Sequence, residues 1–428
     1  MCAGKPASAH IIRKGRKKSG KNGTGLNFSQ SGQQSRSIWH QGDRKAPIMN
    51  CSLEDKEMED LEMNMDTSES HNHFPFHLLP DLCKFRIWSF LKQCDLGRCM
   101  LVCIEWHMKI QKPQLWNTIH FNELPYTCLP HDRTGLVHTE GVCHHCFRKR
   151  VVSFSHFLSH IHPVVKEFQF CLDISHPTDQ FNAVVEQFLS TADLTSLTYA
   201  DINWKDSPSR APLTNNQEPI QDYMYRYRRR QRMFSRLFDT FIGLATQLTT
   251  LVMPFDWTDY NVKNVCSLTK LENLVLVKYG VHNHTFTQDH INKLTESLVQ
   301  LKKLLLEVWI PSYNNNNFEL FYVESASLIL LDVSLCRGFY IKRLNTPNLL
   351  QLRIPQRPLP MNMIQRQSPH LPCLFPVLSV GVPKLENING HQLKVEDILN
   401  PPDSLNNLLT MLCCCTRHKS RGIEMYGM

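Results

Sequence analysis

A short apolar phrase, Leu-x-x-Leu-x-apolar, returns seven times between residues 165 and 354. Its spacing suits a short strand whose alternate residues point into a shared core. Successive phrases begin 21 to 54 residues apart, so we predict a repeated strand unit. The phrases are Val165/Phe168/Phe170, Leu194/Leu197/Tyr199, Leu248/Leu251/Met253, Leu271/Leu274/Leu276, Leu301/Leu304/Leu306, Leu328/Leu331/Val333 and Leu349/Leu352/Ile354.

The segments between these phrases have a helical periodicity. Phe234–Thr246 and Gln288–Val299 place apolar residues three and four positions apart, as a helix with one buried face does. Helices that alternate with short strands favour an α/β fold in which the strands run parallel. An unrelated α/β fold with several apolar strands is the alternative.

A different pattern precedes the repeats. Pro80 suits a first helical turn, and apolar residues follow it at helical spacing as far as Leu91. Asp95 suits the cap of a second helix, and Ile104–Ile110 predicts a third. Three helices this short form a bundle that is too small to be very stable without a partner.

Residues 74–121 resemble the F-box family throughout. A leading Leu-Pro, the apolar positions of the first helix, an Asp-Leu pair, a Val-Cys-x-x-Trp element and a closing Leu-Trp all stand at the family's spacing. Two departures are Lys84, where the family is usually apolar, and Trp88, which replaces a common Phe. The matching residues are Leu79, Pro80, Ile87, Phe90, Leu91, Asp95, Leu96, Val102, Cys103, Trp106, Leu115 and Trp116.

The resemblance implies binding to a Skp adaptor and, through it, to a cullin scaffold. A small bundle with apolar residues on more than one face has a surplus to bury against such a partner. Simple core packing is the alternative for each residue taken singly. The expected adaptor contacts are Leu79, Pro80, Leu82, Ile87, Leu91, Val102, Trp106 and Trp116.

The repeated phrase itself resembles a degenerate leucine-rich-repeat array, in which each phrase is one strand of a solenoid. The Asn or Cys position that such repeats stack is mostly missing. An F-box followed by this array resembles the F-box/leucine-rich-repeat subunits of ubiquitin ligases. The resemblance implies an α/β protein, a small three-helix F-box followed by a solenoid of short parallel strands. It also implies that the concave strand face or its rim loops bind a protein substrate.

Six segments follow from these patterns. They are a disordered basic tail (1–50), an acidic linker (51–73), the F-box (74–121), a Cys/His-containing insert (122–150), a repeat-like substrate-binding domain (151–400) and a C-terminal tail (401–428).

The net charge of +8 is carried by the tail. Residues 1–50 hold ten Lys or Arg and one acid, so the remaining residues are close to neutral. A neutral body argues against a broad phosphate-binding face, and nucleic acid is not an expected partner. The cluster from Arg13 to Lys18 suits a nuclear import signal or simply a solvated tail.

The apolar runs of the chain are too short to cross a membrane, and the N-terminus lacks the apolar region of a signal peptide. We therefore expect a protein of the cytoplasm, the nucleus or both, with its 16 cysteines as thiols or metal ligands. Cys413-Cys414-Cys415 beside basic residues suits either palmitate or a cluster of free thiols.

The insert and the residues after it carry candidate metal ligands. Cys143-x-x-Cys146 followed by His156-x-x-x-His160 has the ligand types of a tetrahedral zinc site, although the gap is short for a zinc finger. A second possible ligand set is Cys128, His138, Cys143 and Cys146. In the alternative without a cofactor, residues 155–161 form a helix whose histidines need no metal.

Residues 223–232 interleave tyrosine with arginine. This mixture suits stacking on bases or contact with an acidic or phosphorylated segment, while a solvated basic helix is the plain alternative. Because the body is neutral, we favour a protein substrate over nucleic acid. The predicted substrate contacts are Tyr225, Arg226, Tyr227, Arg228, Arg229 and Arg230.

Catalytic signatures such as Gly-x-Ser-x-Gly, a phosphate-cradling Gly-rich loop and His-Glu-x-x-His are missing from the sequence. We therefore predict a non-catalytic protein. Three hypotheses follow: a substrate receptor of a Skp–cullin–F-box ligase, an F-box scaffold or inhibitor outside the ligase, and a zinc- or RNA-binding protein with an incidental F-box.

Overall fold

The computed structural model describes residues 76–128, 141–176, 178–209, 220–279, 286–310, 320–336, 339–354 and 381–393. All of them belong to one compact unit, His73–Met428. The predicted basic tail, acidic linker and C-terminal tail lie outside the described residues, and so does part of the predicted insert, residues 129–140.

Three short helices open the described chain, as the sequence predicts. They are α1 (Asp81–Trp88), α2 (Gln93–Cys99) and α3 (Ile104–Ile110), with 3₁₀ turns at Phe76–Leu78 before them and Pro113–Leu115 after them. The expected cap at Asp95 is wrong, because α2 begins two residues earlier and Asp95 lies in its first turn. Cys103 caps α3, since its Sγ accepts a hydrogen bond from the backbone N–H of Trp106 at 3.5 Å.

Twelve strands follow in the described residues. They are β1 (Thr118–His120), β2 (Glu167–Cys171), β3 (Tyr199–Asn203), β4 (Thr250–Phe255), β5 (Asn273–Lys278), β6 (Lys303–Leu306), β7 (Leu320–Glu324), β8 (Leu330–Asp332), β9 (Tyr340–Asn345), β10 (Gln351–Arg353), β11 (Asn387–Ile388) and β12 (His391–Gln392).

Ten of these strands form one sheet in the order β1-β2-β3-β4-β5-β6-β8-β10-β11-β12. Every neighbouring pair in that sheet is parallel except β11 with β12. Strands β7 and β9 pair in parallel as a second, two-stranded sheet. The predicted α/β class with short parallel strands is therefore confirmed.

One helix lies between each pair of successive strands from β1 to β6. The helices are α4 (His144–Ile161), α5 (Phe181–Thr191), α6 (Ile220–Leu244), α7 (Asp259–Cys266) and α8 (Gln288–Ser297). Each packs against the next helix along the chain, and β7 continues this outer layer against α8. The helical segments predicted from periodicity overlap α6 and α8, and each prediction runs two residues past the end of its helix.

The repeated phrase sets the register of the sheet. The pairing places Leu251 opposite Leu274, then Leu304 and then Leu331, and all four side chains are buried. The phrase predicted at Leu194 is misplaced by three residues. Pairing of β2 with β3 sets Ala200 and Ile202 opposite Phe168 and Phe170, and Tyr199 faces the other side of the sheet.

A further phrase of the same spacing, Trp116-x-x-Ile119-x-Phe121, ends the F-box segment. Ile119 lies opposite Phe168, so this phrase forms the first strand of the sheet. The side chain of Gln93 covers the outer edge of β1. Its Nε2 donates to the carbonyl of His120 at 2.5 Å, and its Oε1 accepts from the N–H of His120 at 2.9 Å. The three-helix segment therefore satisfies the hydrogen-bonding capacity of the His120 backbone on the edge strand of the sheet.

A turn of the form Asp-x-Ser/Thr recurs where strands end. The Oδ1 atoms of Asp173 and Asp332 accept hydrogen bonds from both the backbone N–H and the hydroxyl of the residue two positions later. Asp256 makes the same pair of bonds with Thr258. These buried carboxylates close the turns that follow the strands by bonding locally. None of the helices in the part of the chain that the structure describes combines the length and apolar character needed to span a bilayer.

Candidate partner-binding surfaces

Large apolar side chains are exposed across the three-helix segment. Their exposed fractions run from 41% for Ile87 to 83% for Ile104. They make up half of all exposed large apolar side chains among the described residues, so the segment has an unusual apolar surface. The residues are Leu78, Leu82, Ile87, Phe90, Leu101, Val102, Ile104 and Met108.

The same segment has a core of its own. Trp88 and Ile110 are fully buried, and the Trp106 ring lies edge-on to Trp88 with centroids 5.5 Å apart. Phe76 packs against both rings, with its centroid 4.8 Å from that of Trp106 and 6.0 Å from that of Trp88. Because these rings already close the interior, the exposed apolar side chains are a surplus that the fold does not need for its own packing.

The structure divides the predicted adaptor contacts into three groups. Pro80, Leu82, Ile87 and Val102 are exposed, whereas Leu79, Leu91 and Trp106 are half-buried. Trp116 is only 2% exposed, and its Nε1 donates to the carbonyl of Ile110 at 2.9 Å. Its predicted role as an adaptor contact is therefore wrong, because the ring is enclosed by the protein's own core.

Lys84, the main departure from the F-box pattern, is buried between α1 and α3. Its Nζ donates to the carbonyl of His77 at 3.0 Å and to Oε1 of Glu105 at 3.2 Å. Lys109 also binds Glu105, at 2.6 Å. These two ammonium groups hold the pKa of Glu105 below its usual value, Lys109 having the larger effect. A lysine at this position thus links two helices where the family pattern has apolar packing.

Helix α6 presents a basic face. Arg228, Arg232 and Arg236 stand four residues apart and are exposed, and Tyr225 lies one turn before Arg228 with 62% of its surface exposed. The opposite face of α6 packs on the sheet, where Phe234 stacks on Trp204 at 4.3 Å. Within the residues that the structure describes, none of the three arginines forms an ion pair.

Two of the predicted substrate contacts face the body of the protein instead, Tyr227 buried and Arg230 half-buried. Tyr227 stacks on Tyr279 with centroids 5.0 Å apart. Arg230 makes two hydrogen bonds to Asp173, from Nε at 3.1 Å and from Nη2 at 2.7 Å. Both predictions are wrong, because a helix turns these side chains inward while it turns Tyr225 and Arg228 outward. Arg226 and Arg229 are half-buried.

Three cysteines come together at the start of α4. Cys143 is the N-cap of α4, Cys146 lies in its first turn, and Cys128 arrives from the chain that follows the F-box. Their sulfur atoms lie within 4.8 Å of one another and all three are buried. Burial raises the pKa of Cys128 to about 12, and hydrogen bonds with the neighbouring thiols add to the effect. The cluster has the donor set to hold a metal ion.

The metal-ligand set predicted first from the sequence is wrong in its histidines. His156 and His160 lie on the exposed side of α4, and Nδ1 of His160 bonds to the carbonyl of His156 at 2.6 Å. Cys146 and His156 are ten residues apart on one continuous helix, a rise of about 15 Å. The second predicted set is supported in its three cysteines, while His138 lies outside the described residues.

A partly buried polar network that the sequence did not suggest lies beside the cysteines. Nε2 of His144 is 2.7 Å from Oδ1 of Asp179, and its Nδ1 is 2.8 Å from the hydroxyl of Ser209. His176 also contacts Asp179, at 3.1 Å. Ser209 is buried and its hydroxyl contacts that of Ser207, so the network joins three segments and presents no exposed nucleophile. Its members are spread from residue 144 to 209 without a motif.

Other predicted features lie outside the described residues. They are the basic cluster from Arg13 to Lys18 and the cysteines at 413–415.

Comparison with known proteins supports the first surface described above, the exposed apolar side chains of the three-helix segment. Residues 76–122 match the F-box-like family. The match confirms the resemblance drawn from the sequence, and it covers the helices that carry the exposed apolar side chains. No curated protein matches the chain.

Proposed function

We propose that this protein is the substrate-recognition subunit of a Skp–cullin–F-box ubiquitin ligase. The observation that carries the proposal is the apolar surface of the F-box-like segment, which the protein's own fold leaves uncovered. In this role the protein is not an enzyme. It brings a target to the enzyme that the cullin carries, and it works in the cytoplasm, the nucleus or both.

Adaptor docking follows from the energetics of that surface. Burying one Leu, Ile or Phe side chain that was fully exposed contributes roughly 1.5–3 kcal/mol. Leu82, Phe90 and Ile104 each expose more than two thirds of their surface, so covering them with an apolar partner face stabilises a complex substantially. Pro80 and Val102 extend the same contact, while the half-buried Leu79, Leu91 and Trp106 support it from beneath.

We further propose that the sheet and its outer helices form a leucine-rich-repeat array that serves as the platform for the target. The support is the repeated phrase, which supplies the inward residues of successive parallel strands. Cys336 stands at the position that such repeats stack, and its thiol donates to the carbonyl of Leu306 on the preceding strand at 3.2 Å.

The exposed face of α6 is the proposed contact for the target. Like charges four residues apart on a helix repel each other, by roughly 0.2–0.5 kcal/mol per pair. Arg228, Arg232 and Arg236 form two such pairs, and an acidic or phosphorylated segment would relieve both. Tyr225 adds an exposed ring at the end of this face.

Co-purification tests the proposal. The full-length protein, expressed with an affinity tag in cells treated with a proteasome inhibitor, should retain both the adaptor and a cullin. Retention of the adaptor without the cullin would favour the alternative of a scaffold or inhibitor outside the ligase. Loss of both would contradict the proposal.

A charge-reversal variant tests the target contact in the same cells. Arg228→Glu with Arg232→Glu should keep adaptor and cullin but lose proteins that accumulate on the wild-type protein. Lys166→Glu, a reversal at an exposed lysine away from α6, is the matched control and should keep them. An unchanged set of captured proteins in the double variant would exclude α6 as the contact.

A further inference from the structure

The three buried cysteines form a small cluster that is separate from the main core. Cys128, Cys143 and Cys146 pack against one another and not against the apolar side chains of the sheet. Two of their sulfurs, those of Cys128 and Cys146, are 3.5 Å apart. Four ligands around zinc at about 2.3 Å stand about 3.8 Å from one another at the corners of a tetrahedron. The thiols therefore already have nearly the separation that zinc requires.

Backbone hydrogen bonds surround the cluster. Thr127 and Val142 form an antiparallel bridge, and the N–H of Cys143 donates to the carbonyl of Tyr126 at 2.7 Å. Arg150, one turn beyond Cys146, donates to the carbonyls of Pro125 and Thr127 at 2.7 and 2.9 Å. These contacts hold the segment that ends at Cys128 against the start of α4, where Cys143 lies.

The start of α4 carries two of the three cysteines. Cys143 and Cys146 lie where the helix presents unpaired N–H groups and the positive end of its dipole. This two-residue spacing lets one helical turn direct both sulfurs to a single point. Cys-x-x-Cys at a helix start together with a third nearby cysteine is a typical donor set for structural zinc.

We propose that Cys128, Cys143 and Cys146 bind a structural zinc ion. The described residues supply three thiolate ligands of the four that tetrahedral zinc takes. The ion fastens the segment after the F-box to the first outer helix, α4, and so fixes the passage from β1 to α4. The metal acts on folding and has no role in catalysis.

Measuring the zinc content of the purified protein tests the proposal directly. The full-length protein, purified without chelators, should carry about one zinc ion per chain when analysed by inductively coupled plasma mass spectrometry. Cys128→Ser, Cys143→Ser and Cys146→Ser should each reduce that content to background. Cys171→Ser, which removes a thiol elsewhere on the sheet, should keep it.

A second measurement needs no variant and holds even where a cysteine variant fails to fold. In the wild-type protein under native conditions, the three thiols should resist alkylation until a zinc chelator is added, as read by peptide mass spectrometry. Cobalt(II) added to the metal-free protein should give the thiolate-to-metal charge-transfer absorption of a cysteine-rich tetrahedral site.

Three results would each overturn the proposal. They are a zinc-free wild-type protein whose three thiols alkylate without chelator, a disulfide between any two of these cysteines, and zinc content that all three serine variants retain.

Discussion

Arg230 and Asp173 form a two-bonded ion pair that joins α6 to the end of β2, with nitrogen–oxygen distances of 3.1 and 2.7 Å. Burial opposes the charge on Asp173, but the guanidinium outweighs it and the net effect lowers the pKa of this carboxyl. The same carboxylate accepts a hydrogen bond from the backbone N–H of Ser175 in the turn that follows β2. An arginine within the basic stretch is therefore part of the scaffold and not of the exposed basic face.

Removal of Arg230 should destabilise the protein strongly. Arg230→Ala leaves the carboxylate of Asp173 buried without its counter-charge, and we expect a loss of about 3 kcal/mol in the free energy of unfolding. Arg228→Ala, an exposed neighbour on the same helix, should change it by less than about 0.5 kcal/mol. Urea unfolding of both variants measures the difference. Equal stabilities would contradict the assignment of Arg230 to the core.

Lys84 should tolerate an apolar replacement but not a reversal of charge. In Lys84→Met, Glu105 keeps Lys109 and its contact with water, so we expect a change of no more than about 1 kcal/mol. Lys84→Glu places a second carboxylate beside Glu105 in a buried position and should unfold the three-helix segment. Limited proteolysis within residues 76–122 distinguishes these outcomes. Equal protection of the two variants would contradict this view of Lys84.

The side chain of Gln93 should stabilise the edge of the sheet as well as its own helix, α2. Gln93→Ala leaves the N–H and carbonyl of His120 on edge strand β1 without their partner, which costs about 1–3 kcal/mol. Hydrogen exchange of the β1 amides should accelerate, while that of β5 and β6 should stay slow. If β1 exchanges at the wild-type rate in this variant, the side chain does not protect the edge.

Low pH should reduce the free energy of unfolding, because it protonates three carboxylates that stabilise the fold in their charged form. Hydrogen bonds from Lys109 lower the pKa of both Asp81 and Glu105, and hydrogen bonds from Thr195 lower that of Asp193. A carboxyl whose pKa is lower in the folded state stabilises the fold above its unfolded value, 3.8 for Asp and 4.5 for Glu, and loses this effect as the pH falls through the folded value.

The free energy of unfolding should therefore be level near neutral pH with respect to these groups and decrease from about pH 5 to about pH 3. Glu105→Gln should flatten part of that decrease, because the amide does not titrate. Urea midpoints measured across this range test the prediction. A decrease of the same size in the variant would exclude Glu105 as a contributor.

Much of the fold could be predicted from spacing alone. The phrases at Leu251, Leu274 and Leu304 depend only on alternation along a strand, and each of these residues faces the core. The phrase in β3 was shifted, because Leu194 and Leu197 both resemble inward positions until the pairing with β2 is known. The phrase from Trp116 to Phe121 has the same spacing, but its first residues also complete the F-box pattern, which hides the strand.

The candidate sites could not be predicted as well, because they depend on contacts between residues that are far apart in the chain. The inward position of Arg230 depends on Asp173, 57 positions away in the chain. The position of Cys128 beside Cys146 depends on how the intervening chain closes. His156 and His160 follow a zinc-like spacing, yet one uninterrupted helix carries them away from the cysteines.

The central claim is that the exposed apolar side chains of the F-box-like segment dock a Skp adaptor, and the affinity for purified adaptor tests it most directly. Isothermal titration calorimetry should compare the wild-type protein with Leu82→Asp combined with Val102→Asp, two changes at exposed positions that leave the core intact. Val299→Asp, an exposed apolar residue far from this segment in the chain, is the matched control.

We predict that the double variant raises Kd by about tenfold or more while the control binds like the wild-type protein. Equal Kd values for all three proteins, or an absence of binding by the wild-type protein, would contradict the account.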